Sequence, residues 1–138
     1  MLRKIPAEAV FLLVVFLFLL GAGRKQMFAD PGALWHPVTG EKVLTEGFFR
    51  GDPYGFREYH DWFAKDWLAE VIFAYAHRWA GPDGMLLVPA GVLALFYTFV
   101  FHRLLRAGCH WTFATLLALA ALAASAFHFF CRPLIFTL

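Results

Sequence analysis

Charge is scarce in this chain. Of 138 residues only 16% are Asp, Glu, Lys or Arg, against about 25% in an ordinary soluble domain. Cysteine is scarcer still, with two residues, which excludes a disulfide-stapled scaffold and a thiolate-rich metal site. The formal net charge is +2, so no strong field of either sign points to nucleic acid or to a polyanionic partner. The sequence also lacks H-E-x-x-H, a Gly-rich phosphate loop and a G-x-S-x-G elbow, and with them the usual signatures of zinc hydrolysis, nucleotide binding and α/β-hydrolase chemistry. What it has in abundance is apolar surface: 61% of residues are hydrophobic and 17 are phenylalanine. That excludes disorder and is too apolar for a soluble domain of this size. The composition is that of a single membrane-embedded unit.

The few charges are unevenly placed. Nine of the ten acids and seven of the twelve bases lie between Arg24 and Gly84. Apolar runs flank this segment. The expected class is an all-α integral membrane protein with three transmembrane helices and a long extracytoplasmic loop carrying amphipathic interfacial helices. The boundaries are 1–23 for the first span, 24–84 for the loop, 85–105 for the second span and 106–110 for a short cytoplasmic loop. The third span is 111–131, and 132–138 reads as the start of a further one. Ile5 to Gly23 reaches about 28 Å as a helix, near the ~30 Å hydrocarbon core. A signal anchor and a cleaved signal peptide with Gly21-Ala22-Gly23 near the cut are the two readings of this run. The apolar tail from Pro133 to Leu138 reads as a span without a body, as in a truncated chain. Cys109 and Cys131 bracket the third span, about 33 Å apart if it is helical, so they cannot pair.

Orientation follows from the short loop with Arg103 and Arg106 beside it and no acid, which should be cytoplasmic. The long loop and the C-terminal tail then lie outside and the N-terminus inside. Arg24 and Lys25 oppose this rule. Ala118 to Ser125 is rich in small residues, which suits close helix–helix approach as well as plain Ala-rich filler. Within the loop, Val38 to Glu46 reads as a short helix stopped by Gly47, and Gly51 to Gly55 as a turn. Asp61 to Ala80 carries an apolar helical stripe through Phe63, Trp67, Val71 and Tyr75, with Asp66, Glu70 and His77 on a polar line. Such a helix should lie in the interface plane, with its Trp and Tyr at headgroup level. Gly81-Pro82-Asp83-Gly84 should break it and redirect the chain into the second span.

The order Asp30-Pro31, Leu34-Trp35-His36, Thr39-Gly40-Glu41, Asp52-Pro53-Tyr54, Trp62, Asp66-Trp67-Leu68-Ala69-Glu70-Val71 and Arg132-Pro133 with Phe136-Thr137 resembles the N-terminal region of bacterial GT-C-type membrane glycosyltransferases. These are distant relatives of the dolichyl-phosphate-mannose protein mannosyltransferases. The resemblance covers nearly the whole chain but only about the first third of such an enzyme. It implies the bacterial inner membrane, a polyprenyl-phosphate sugar as donor, and further spans to complete the site. The alternative function is a small non-catalytic subunit that docks on a larger membrane complex. Either way the partners are the lipid bilayer and further spans or membrane subunits, with a lipid-linked sugar donor in the first case and no nucleic acid in either.

The resemblance implies Asp30 as the catalytic acid of the first loop, acting as general base or as ligand to a divalent ion, the cofactor being otherwise unknown. Gly32 stands where many relatives carry a second acid, which favours a single base over a two-carboxylate metal site. His36, Asp66 and Arg132 are the candidate substrate-binding residues. Each has a plain structural reading beside the functional one: a packed interfacial histidine, a solvated helix face, and a guanidinium snorkelling to headgroups. A guanidinium can also hold a lipid-linked phosphate by a two-point contact. Asp52 reads as a turn-former, and Lys65 stands where relatives often have His. The two histidines and two aspartates His36, His60, Asp30 and Asp61 form no strong metal signature.

Overall fold

The computed structural model describes residues 5–51, 54, 55 and 63–137. Of the residues read above, Asp52, Pro53, His60, Asp61 and Trp62 lie outside the described set. The described chain is helical, and the only pairing between extended residues within it is an isolated bridge between Arg50 and Phe63.

Helix α1 (Ala7–Gly21) forms because its residues are apolar and free of internal Gly or Pro. At about 1.5 Å per residue it is ~22 Å long, shorter than the ~28 Å expected from the sequence. Ala22 (φ −70°, ψ −32°) and Gly23 (φ −75°, ψ −16°) remain right-handed and lead into the single turn α2 (Arg24–Met27). Helix α3 (Trp35–Glu46) starts three residues before the expected Val38. Pro37 is tolerated there because the first-turn N–H groups have no intrahelical acceptor to lose. Gly47, at φ 78°, ends the helix as expected.

Helix α4 (Trp67–Arg106) is two arms joined at a sharp break, with Ala80 at φ −144° and Gly81 at φ 60°, ψ −145°. Only glycine adopts the Gly81 geometry without strain, and Pro82 then starts the second arm, where a missing N–H costs nothing. The breaker read from the sequence is therefore real, but the second arm begins at 82 and not at 85. Helix α5 (Trp111–Ser125) is capped by His110, whose ring nitrogen accepts from the Thr112 N–H at 3.5 Å. It gives way to a 3-10 turn (Ala126–His128), so the helix does not reach the expected Phe130.

Helix α1 runs antiparallel to the second arm of α4. Glu8 meets His102 at 3.1 Å at one end, and Arg24 meets Asp83 at 2.5 Å near the other. Phe11 and Phe101 stack between them at 4.5 Å. Helix α5 covers another side of that arm through Ala114, Ala118 and Leu122, all buried and four residues apart. The small side chains of the first two let the helices approach closely; of the small residues in the run 118–125 only Ala118 is buried, and Ala120, Ala121, Ala123 and Ala124 face outward. The Tyr97 hydroxyl bonds Ser125 at the far end of α5.

Two of the helices, α4 and the 18 residues from Trp111 to His128, are long and apolar enough to cross a membrane. Half of the apolar window of α4 is buried inside the molecule, but only 17% of that of α5, so α5 keeps most of its apolar surface on the outside.

The first arm of α4 corrects one sequence expectation. Its aromatic and aliphatic stripe, Trp67, Leu68, Ile72, Tyr75 and Trp79, is exposed, as is Phe63 just before it. The face turned inward is Glu70, Phe73 and Ala74. Glu70 is thus not on a solvated line with His77. The tail forms a 3-10 turn (Pro133–Thr137) with Ile135 buried and the Phe136 ring 6.0 Å from Phe73. The segment expected to start a span packs on the first arm of α4.

Candidate functional site

Three elements bring the polar residues together. The backbone N–H of Cys131 donates to the carbonyl of Met27 at 2.9 Å, which lays the segment after α5 beside the segment after α2. Met27, Ala33 and Cys131 are fully buried beneath this junction. Three residues beyond Met27 and one beyond Cys131, Asp30 and Arg132 face one another. Arg132 donates from Nε to Oδ2 and from a terminal nitrogen to Oδ1, a two-point ion pair across 102 residues of sequence. Asp30 is only 14% exposed there and Arg132 40%.

Gly32 has a steric reason to be glycine. A Cβ on it would sit 2.8 Å from Asp30 Oδ2 and about 3 Å from the Arg132 guanidinium. The second acid carried by members of the resembled family would collide with the pair that occupies this position here. The arrangement also does not fit a divalent ion at Asp30. The neighbour of that carboxylate is a guanidinium, which repels a cation, and no group of three or more His, Cys, Asp or Glu among the described residues is placed to hold a metal.

The second constellation joins α3 to the first arm of α4. These helices approach so closely at Gly40 that a Cβ would lie 2.0 Å from the carbonyl oxygen of Glu70. One turn before Gly40, His36 is buried at 6% exposure, and its Nδ1 stands 3.2 Å from Oε1 of Glu70, itself 2% exposed. Glu70 Oε2 has no hydrogen-bond partner among the described residues. Thr39, fully buried, donates to or accepts from the Tyr54 hydroxyl at 2.8 Å, and Trp35 packs edge-on against Tyr54 and beside the His36 ring. The start of α3 is thus fixed from three directions.

A cavity of about 740 Å³ lies between these two constellations. Its wall includes Trp35, His36, Lys65, Asp66, Glu70 and Arg132. That volume is in the usual range for a small-ligand site. The three residues read as substrate-binding from the sequence, His36, Asp66 and Arg132, therefore share one cavity, and Asp30 stands behind Arg132. Asp66 occupies the N-cap position of α4 without a side-chain cap bond. Both oxygens of Asp30 are engaged by Arg132, so in this arrangement Asp30 fixes a guanidinium.

Sequence reading missed Glu70 as a site residue. The signal was its spacing, three and four residues before Phe73 and Ala74, which puts it on the inward face once that face is known. No family model, no curated protein and no solved structure matches the chain. The site must be read from its own chemistry.

Proposed function

We propose that this chain is the N-terminal part of a GT-C-like glycosyltransferase of the bacterial inner membrane. It moves a sugar from a polyprenyl-phosphate donor to an acceptor at the outer face. Helix α1, residues 82–106 and helix α5 cross the bilayer, with the N-terminus inside and the segment between the first two spans outside. The basic turn after α4 supports this orientation. The Glu8–His102 pair supports it too, since it keeps the start of α1 on the same side as that turn. The exposed stripe of the first arm suits the interface, with Trp67, Tyr75 and Trp79 among the headgroups.

The observation that carries the reading is the Asp30–Arg132 pair, whose guanidinium stands on the wall of a cavity beside apolar spans. A guanidinium held at two points by a carboxylate keeps donors over for a phosphate oxygen, and its planar fork matches that group. The remaining spans of the enzyme would close the cavity and bind the lipid chain.

The experiment is sugar transfer by the full-length protein in native membranes from radiolabelled undecaprenyl-phosphate hexoses, normalised to protein level. Wild type should transfer. Asp30→Asn and Arg132→Gln should each lower transfer at least tenfold, mainly through KM for the donor. The double variant should be no worse than the weaker single one, because the two residues act as a unit. Additive losses would refute the paired role. Absence of transfer by wild type would refute the enzyme reading and favour a docking subunit.

A further inference from the structure

We propose that His36, aligned by Glu70, takes the acceptor's proton in this cavity. The inference rests on the transfer reading above and adds a residue to it. The bond at 3.2 Å joins His36 Nδ1 to a carboxylate oxygen. An ionised carboxylate can only accept, so it selects the imidazole tautomer with its proton on Nδ1 and leaves the lone pair on Nε2. His36 lines the cavity. Glu70 is 2% exposed, and its Oε2 has no hydrogen-bond partner among the described residues. Burying a carboxylate with so few partners is costly, and truncation to an apolar side chain would relieve that cost. Packing does not require it, because Gly40 already sets the approach of α3 to α4 through the backbone at this position. What the buried carboxylate does achieve is to orient the ring and to offset the positive charge that a proton on Nε2 would bring.

Of the other carboxylates near the cavity, Asp30 is engaged at both oxygens by Arg132. The remaining charged groups facing the cavity are Lys65 and Asp66 at the start of α4 and Arg132 on the tail. In the transfer step the acceptor oxygen forms its bond to the anomeric carbon while the bond from that carbon to the phosphate oxygen breaks. The electron pair leaves with the polyprenyl phosphate, beside Arg132, and the hydroxyl proton passes to His36 Nε2. Glu70 orients the ring and is a positioning residue.

The test uses the same membranes and the same undecaprenyl-phosphate hexose probes. His36→Gln should lower kcat about 10²–10⁴-fold, the usual contribution of a general base, with KM for the donor changed less than threefold. Wild-type kcat should fall on the acid side of its pH profile, and that limb should vanish in His36→Gln. Glu70→Gln should move the limb to lower pH, since the imidazolium loses the anion beside it, an outcome that a purely structural role of Glu70 would not produce. Transfer by His36→Gln within threefold of wild type would overturn the inference and leave the transfer reading standing. A wild type that transfers from none of the probes would overturn both. If His36→Gln does not fold, the comparison of wild type with Glu70→Gln decides, and an unmoved acid limb overturns the proposal.

Discussion

Gly40→Ala adds one methyl group where α3 crosses the first arm of α4. That carbon would lie 2.0 Å from the Glu70 carbonyl oxygen, 2.3 Å from its carbonyl carbon and 2.8 Å from the Val71 nitrogen. All three are backbone atoms, so no side chain can rotate away. To restore ordinary contact the helices must separate by about 1.4 Å, which forfeits much of the dispersion energy across the interface. Overpacking of this kind costs about 1–3 kcal/mol. Replacing glycine by alanine inside a helix returns up to about 1 kcal/mol, so a net loss of about 1–2 kcal/mol is expected. The internal control is Gly91→Ala, in the second arm of α4, where an added Cβ meets nothing within 4 Å. There only the propensity gain operates, and stability should stay level or rise. The assay is thermal unfolding in detergent followed by far-ultraviolet circular dichroism. Gly40→Ala should lower the midpoint by several degrees and Gly91→Ala should not. A Gly40→Ala midpoint equal to or above that of Gly91→Ala would refute the close approach, and with it the placement of His36 against Glu70.

The Glu41–Arg78 pair links α3 to the first arm of α4: Arg78 Nε donates to both carboxylate oxygens, at 3.0 Å to Oε1 and 2.8 Å to Oε2, and a terminal nitrogen donates to Oε1 as well. Hydrogen bonding from Arg78 holds the Glu41 carboxyl below its ordinary value of 4.5. Its contribution to stability is therefore complete above about pH 4.5 and disappears as pH falls through the lowered folded value. The unfolding midpoint of Glu41→Gln should lie slightly below that of wild type at pH 7, and the gap should close in acid; a gap independent of pH would contradict the pair. For topology, in a Cys109→Ser background, a cysteine at Glu46 should react with an impermeant reagent in intact cells and one at Ala107 should not. Labelling at Ala107 would reverse the orientation. Tyr97→Phe removes the hydroxyl bonded to Ser125, and should lower the unfolding midpoint by the equivalent of about 1 kcal/mol; no change would mean that α5 is held by packing alone.

The helical class and the breaker at Gly81-Pro82 were legible because both depend on local chemistry: long apolar runs and residues that cannot continue a helix. The four polar residues picked from the loop and tail were legible as types, and three of them do share a cavity. Their partnerships were not. Asp30 and Arg132 lie 102 positions apart, and nothing in either neighbourhood specifies the other; the link is the Met27–Cys131 backbone bond, which only the folded chain reveals. Glu70 was misplaced for a related reason. In water an aromatic stripe marks the buried face of a helix, and its polar line is the solvated one. Beside a bilayer both assignments can reverse, because lipid takes the apolar stripe and the protein interior takes the carboxylate. The reversal is visible here in Trp79, 77% exposed, against Glu70 at 2%. Gly32 was read as a missing acid, a departure that weakened a metal site. With the pair in place it also has a steric side, since an added Cβ would press on the carboxylate and the guanidinium until one of these side chains shifted. The same residue that counted against one chemistry is therefore in keeping with another arrangement, a cation held beside the cavity by a single carboxylate.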